Sequence, residues 1–200
     1  MTSYLQAAHR PSAAKAYSEP GLCRVRPFLR DKPNLTPSRR DCDVYGIRTR
    51  SLRLTNVYGP GMRIKDARQT FVGIWLRRLV EGEPFEVWGG EQRRDLLYVD
   101  DAADAFLYAA LTPAAEGLAL NVGGEAVSLA ALAEALAAAN GGGEYVVREF
   151  PAERKRIDVG DFLIDDSRFR ALTGWRPRVG VDEGLRRSLA YYRSRSASYL

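Results

Sequence analysis

From Arg48 to the C terminus the chain alternates short strand-like runs with runs of helical period, and this alternation constrains the fold more than any other feature. Leu52 and Leu54 share one face of Arg48–Asn56, which reads as a strand. The glycine and proline of Val57–Gly61 read as a turn. Ala67–Glu81 puts Phe71, Ile74, Trp75 and Leu79 on one helical face, and Gly82 ends it. Phe85–Trp88 and Asp95–Val99 read as strands, the second leading to Asp100/Asp101 as N-cap of a helix through Ala110. A strand at Leu118–Val122 precedes a helix capped by Ser128, with Leu129, Leu132 and Leu136 inward and Asn140–Gly143 as its stop. Tyr145–Glu149 and Phe162–Ile164 read as strands, Asp166–Leu172 as a helix ended by Gly174, and Asp182–Arg195 as a last helix. Strands alternating with helices predict α/β architecture.

The first 43 residues lack this order. They hold five of the ten prolines and show no sustained period. Such a segment buries too little surface to offset its ordering entropy, so disorder is expected there, with a short helix near Ser12–Tyr17. The same segment carries eight basic and four acidic side chains, leaving 22 basic and 21 acidic in the rest. The overall +5 therefore sits mostly in the tail, and the ordered part has no basic surplus of the kind a nucleic-acid binder uses. Cys23, Cys42 and the single His9 offer no zinc-type spacing. No apolar run approaches the ~20 residues of a membrane helix, and Met1 is not followed by a secretory apolar stretch. A cytoplasmic protein that binds neither membrane nor nucleic acid is the expectation.

Four local patterns carry chemistry. Arg53–Pro60 is a strand entering a tight turn, with the polar Asn56 at the strand's C-terminal end, where open α/β sheets place ligands; its plain alternative is a turn-forming Asn. Gly89–Asp101 delivers Arg93 and Arg94 from a loop into a strand. A guanidinium fork suits phosphate oxygens, and the plain alternative is a surface pair with Asp95. Glu153–Asp161 gathers Arg154, Lys155 and Arg156 beside a Gly-Asp turn, although most such runs are solvated loops. Leu172–Pro177 places a C-cap glycine before Trp175 as a core plug.

In this order and spacing the patterns resemble the extended short-chain dehydrogenase/reductase family of NAD-dependent nucleotide-sugar epimerases and dehydratases, over about residues 44–195. The matching runs are SLRLTNVYGPGMRIKDARQTFVGIWLRRLVEGEPFEVWGGEQRRDLLYVDDAADAFLYAA, LNVGG, VSLAALAE, IDVGD and GWRPRVGVDEGL, with UDP-glucose 4-epimerase-like members most similar. The resemblance implies the C-terminal, substrate-binding portion of a Rossmann-type fold, with one or more strands left from a truncated parallel sheet. It implies a nucleotide-diphospho-sugar ligand, most naturally a UDP-sugar. Asn56 matches the family position at the diphospho-sugar and Arg94 the diphosphate clamp. Glu86, Val87 and Trp88 match the strand whose backbone meets the nucleobase. Arg154 or Arg156, with Asp161, matches a second basic loop at phosphate and ribose. Gly61 stands where many relatives have an Arg.

The family's cofactor is NAD. Its glycine fingerprint, GxGxxG or GxxGxxG, does not occur among the 18 glycines. A Tyr-x-x-x-Lys acid/base pair is also absent, because Pro11, Phe28, Gly61 and Pro151 precede the four lysines by four. Ser12–Ala16 only faintly resembles the segment around the family lysine. The expected domains are therefore 1–43, a non-homologous segment such as a frameshift or misassigned start produces, and 44–200, the sugar-nucleotide half. On this reading the chain is inactive alone; otherwise it is a stand-alone binding module or a subunit complementing a separate catalytic half. An exposed edge on the Arg48–Asn56 strand, an aggregation tendency and no family-type homodimer are also expected.

Overall fold

A strand that is apolar on both faces sits between two cores, and the fold follows from it. The structure is a computed structural model that describes residues 45–65, 70–150 and 160–199. Its strands are β1 (Ser51–Leu54), β2 (Asn56–Tyr58), β3 (Phe85–Trp88), β4 (Arg93–Tyr98), β5 (Ala119–Val122), β6 (Glu125–Ser128) and β7 (Tyr145–Arg148). Its helices are α1 (Phe71–Glu81), α2 (Val99–Leu111), α3 (Leu129–Ala139), α4 (Ser167–Thr173), α5 (Val181–Ser194) and α6 (Ser196–Tyr199). Along β4, side chains alternate between faces. Leu96 and Tyr98 enter a core shared with α1, β3, α3 and α5, around Trp75, Leu76, Val87, Leu132, Leu136 and Leu185. Leu97 enters a second core with α2, β5, α4 and Trp175.

Parallel pairing joins β1 to β5, β2 to β4 and β3 to β7, while β6 runs antiparallel to β4. The expected α/β class is what the chain adopts. Six buried positions of α5, spaced three and four apart from Val181 to Tyr192, bury its inner stripe. Gly184 lies there because a Cβ would strike the Tyr58 hydroxyl.

Several expectations are corrected. The single strand Arg48–Asn56 is two strands. Thr55 makes the last bond to β5, from its N–H to the Val122 carbonyl at 3.3 Å, and Asn56 then pairs with β4. Because β5 ends at Val122 before Gly123-Gly124, the chain changes neighbour there, and Val57-Tyr58 is strand rather than turn. Helix α1 begins at Phe71 under the side-chain cap of Thr70, and 66–69 lie outside the described residues. Asp100 and Asp101 do not cap α2: Tyr98 holds that position, and buried Asp101 accepts from the N–H groups of Arg178 (3.0 Å) and Val179 (2.9 Å). Strand β6 has no counterpart in the sequence reading. Phe162 forms one bridge with Arg94 rather than a strand. The segment 1–43 and its short helix lie outside the described residues.

Candidate functional site

The switch from β1 to β2 brings Asn56 beside the start of β4. Its Nδ2 donates to the Asp95 carbonyl at 3.1 Å, and its backbone is in register with Leu96. One residue earlier on β4, Arg94 donates from Nη1 to the Arg93 carbonyl at 2.9 Å and to the Gly160 carbonyl. Residues Gly160–Ile164 lie along the same strand. Phe162 N–H donates to Arg93 at 3.0 Å, and Asp95 N–H donates to Phe162 at 3.2 Å. Asp161 accepts the Arg93 N–H on Oδ1 at 2.8 Å. Asn56, Arg94 and Asp161 thus meet at the head of β4, although they are spread over more than 100 residues of sequence. Arg154 and Arg156 lie outside the described residues.

The plain alternative for this stretch, a surface pair with Asp95, does not fit where Asp95 lies. Neighbouring strand residues point to opposite faces, and Asp95 is 4% exposed. Its carboxylate accepts the N–H groups of Gly124 (2.6 Å) and Ile164 (3.2 Å), so it ties β6 and the Gly160–Ile164 segment to β4. Burial pushes its titration above the usual carboxylate range, against the pull of these two amides. The signal missed was an acid inside an apolar strand, Asp95 before Leu96-Leu97.

The three expected positions on β3 separate. Phe85 and Gly89 donate to the Glu144 (3.2 Å) and Arg148 (2.9 Å) carbonyls of the β7 side, so Val87, between them, also faces β7, with its side chain in the core. Glu86 and Trp88 present their main chain to the opposite edge. There Glu86 accepts the Trp75 indole N–H at 3.0 Å, and Trp88 accepts Gln92 Nε2 at 3.3 Å. The Glu86 side chain accepts the Trp88 indole N–H (3.2 Å) and Arg148 Nε (2.6 Å), and these two bonds hold its carboxyl below the usual range. Phe71, Trp75, Trp88, Phe150, Glu86 and Arg148 are among the residues lining a cavity of about 660 Å³ on this side. The Gly89–Gln92 loop runs from this cavity to β4 and is clamped to the start of α3 through Ala130 and Leu129. The cavity and the Asn56, Arg94 and Asp161 cluster therefore lie at the two ends of one loop.

At three strand ends the close approach that a glycine permits is taken up by the chain itself. A Cβ at Gly59 would strike Val99, at Gly123 the Asp95 carboxylate, and at Gly124 the Leu96 carbonyl, so the chain's own atoms fill those spaces. No group of three or more metal-binding side chains occurs among the described residues, and none of their helices is long and apolar enough to cross a membrane.

Residues 40–123 match the model of the NAD dependent epimerase/dehydratase family. The chain is 31% identical over 156 residues to UDP-glucose 4-epimerase of Mycolicibacterium smegmatis, covering 77% of this chain and 48% of that protein. It is 30% identical over 160 residues to dTDP-glucose 4,6-dehydratase of Neisseria meningitidis, covering 74% and 43%. The solved UDP-glucose 4-epimerase of Thermotoga maritima, determined with UDP-glucose, superposes with a TM-score of 0.67 at 28% identity over 78% of this chain and 49% of that one. UDP-glucuronic acid 4-epimerase of Bacillus cereus, solved with UDP-glucuronic acid and NAD, shares the fold with a TM-score of 0.62 over 76% and 48% at 23% identity. The chain spans less than half the length of each of these relatives. With a family model, curated relatives and solved folds in agreement, the chain belongs to the NAD-dependent epimerase/dehydratase family of extended short-chain dehydrogenases/reductases.

Proposed function

We propose that residues 44–200 form the nucleotide-sugar-binding part of an epimerase or dehydratase and hold a UDP-sugar without carrying out the redox chemistry alone. One observation carries this reading: Asn56, Arg94 and the Gly160-Asp161 turn converge at the head of β4, one loop away from the β3 cavity. Arg94 supplies a planar fork for diphosphate oxygens, and Asn56 a neutral donor beside it. Glu86 and Trp88 border the place of the base, with Val87 supporting from the core. Arg154 and Arg156 precede the Gly160-Asp161 turn by six and four positions in the sequence and are proposed as further cations for the diphosphate. The sugar lies beyond Asn56, toward whatever part of an enzyme supplies NAD and the acid/base pair. Those roles need a nucleotide-binding half, on this chain's own polypeptide or on another, and no step is assigned to the residues described. A cytoplasmic setting suits two cysteines outside any paired spacing.

Thermal unfolding with UDP-glucose tests the reading. Ligand at about 100 times its Kd stabilises by about 2.7 kcal/mol, a rise of roughly 5–10 °C for a chain of this size. Arg94→Ala is expected to abolish the rise, and Arg94→Lys to keep part of it. A folded protein that shows no rise at millimolar UDP-sugar overturns the proposal.

A further inference from the structure

We infer that Tyr192 is a positioning residue for the sugar: from the end of α5 its hydroxyl fixes the turn Gly59–Met62 that follows Asn56. The inference rests on the nucleotide-sugar reading above, which puts the sugar beyond Asn56, and it names what shapes that end of the site. Strand β2 is three residues long and ends at Tyr58, so this turn is the next piece of chain. Its sequence, Gly-Pro-Gly-Met, has the type II pattern of a proline at the second position and a glycine of positive φ at the third, where Gly61 has φ 84°. The Met62 N–H closes it on the Gly59 carbonyl at a long 3.3 Å. At its tip Gly61 is exposed, and a Cβ there would meet nothing within 4 Å. One long internal bond and an open tip leave the setting of the turn to be fixed from outside it.

Helix α5 holds β2 and the turn by tyrosines at its two ends. At its start the Tyr58 hydroxyl donates to the Val181 carbonyl at 3.4 Å, in a space that a Cβ on Gly184 would fill. At its far end buried Tyr192 shares its one hydroxyl proton between the carbonyls of Gly59 (2.9 Å) and Met62 (2.6 Å), the first and last residues of the turn. Burial pushes the titration of this hydroxyl well above its ordinary range, so it stays a donor at neutral pH. Its ring is packed edge-on by Tyr191 and Tyr199, each with its centroid 5.2 Å away, and the hydroxyls of these two meet at 2.9 Å. Core filling alone would be served equally by a phenylalanine. The hydroxyl, aimed at both ends of one turn, is what core filling leaves unexplained. Since the diphosphate is assigned to Arg94 and the base to β3, loss of this hydroxyl should be felt at the sugar.

Calorimetric titration of the full chain with UDP-glucose and with UDP provides the test. Tyr192→Phe keeps the ring and removes the hydroxyl. It is expected to weaken UDP-glucose by about fivefold or more and to leave UDP within about twofold of wild type. Ser188→Ala is the control. That buried hydroxyl lies on the same helix and donates to the Gly184 carbonyl at 2.6 Å, so its loss destabilises α5 without removing a bond to the turn. It should leave both affinities within about twofold. A Tyr192→Phe chain that binds UDP-glucose as wild type does, or that loses UDP and UDP-glucose alike, overturns the inference and leaves the nucleotide-sugar reading standing. The same selective loss in Ser188→Ala also overturns it. If Tyr192→Phe fails to fold, Tyr199→Ala, which strips one ring from beside Tyr192, carries the test. A loss of about twofold or more for UDP-glucose alone is then expected, and no loss overturns the inference. A folded wild type that binds neither ligand overturns both readings.

Discussion

At Asp95, burial and hydrogen bonding act in opposite directions. Burial disfavours the charge, while the Gly124 and Ile164 amides favour it, and burial is the larger effect. The folded chain therefore holds the Asp95 proton more tightly than the unfolded chain, where an aspartate titrates near about 3.9. Between that value and the raised folded one, the stability contributed at this position falls as pH rises. Asp95→Asn removes this slope, which urea melts from pH 4 to 7 would detect. At neutral pH the same variant is nevertheless expected to cost about 1–3 kcal/mol, because an amide accepts from one of the two N–H groups and turns its own donor toward the other. Gly124 poses a steric question against the same strand. A Cβ there runs into the Leu96 carbonyl, which is backbone and cannot swing aside, so Gly124→Ala should lift β6 off β4. The expected loss is about 3 kcal/mol, read from the midpoint of denaturant unfolding; a midpoint unchanged from wild type would refute it.

Among the elements, the helix starting at Leu129 gives the cleanest test of local sequence signals. Ser128 Oγ accepts the Ala131 N–H at 3.2 Å, as the serine before an apolar run predicts. Ser128→Ala should cost about 1 kcal/mol, roughly 2–4 °C in Tm, and Ser128→Asp should restore most of it. Where a signal is local, the sequence was readable. Gly82 and Gly174 end their helices in the left-handed conformation, and Phe85–Trp88 is a strand with the bounds read from its pattern. Where the cause is a distant partner, it was not. The break at Thr55 depends on where β5 stops, almost 70 residues later. Asp101 looks like a cap from its neighbours, yet amides of Arg178 and Val179 draw it inward. Strand β6 owes its existence to β4 and has no period of its own in four residues. The candidate site divides the same way. Asn56 and Arg94 stood out because each sits at a strand end with chemistry suited to phosphate. Their closeness to Asp161 depends on the Gly160–Ile164 segment lying along β4, which no spacing encodes.

For the whole molecule, the two cores differ in how completely they are enclosed. The core around Leu76 and Leu185 is closed by α1, α3 and α5. The other rests on a two-stranded parallel pair, β1 with β5, and parallel strands are usually covered on both faces and flanked by further strands. Helix α2 buries its alanines, Ala102, Ala105 and Ala109, against that pair. Its outer side carries Phe106, Leu107, Tyr108 and Leu111, the last 82% exposed. Among the described residues, this leaves apolar surface open on the outer side of α2. The sequence of residues 1–43 shows no periodic apolar face, and a chain beginning at Val44 is expected to melt within about 2 °C of the full one. The open side then sets the solution behaviour of both forms. Sedimentation velocity is expected to show mass that grows with protein concentration. The double substitution Leu107→Lys with Leu111→Lys should suppress that growth with little change in Tm, since both side chains already lie largely in solvent. Growth that persists in the double variant would assign the association to a surface other than the outer side of α2. A wild-type chain that stays monomeric across the concentration range would mean that the outer side of α2 is too small to bind a second copy.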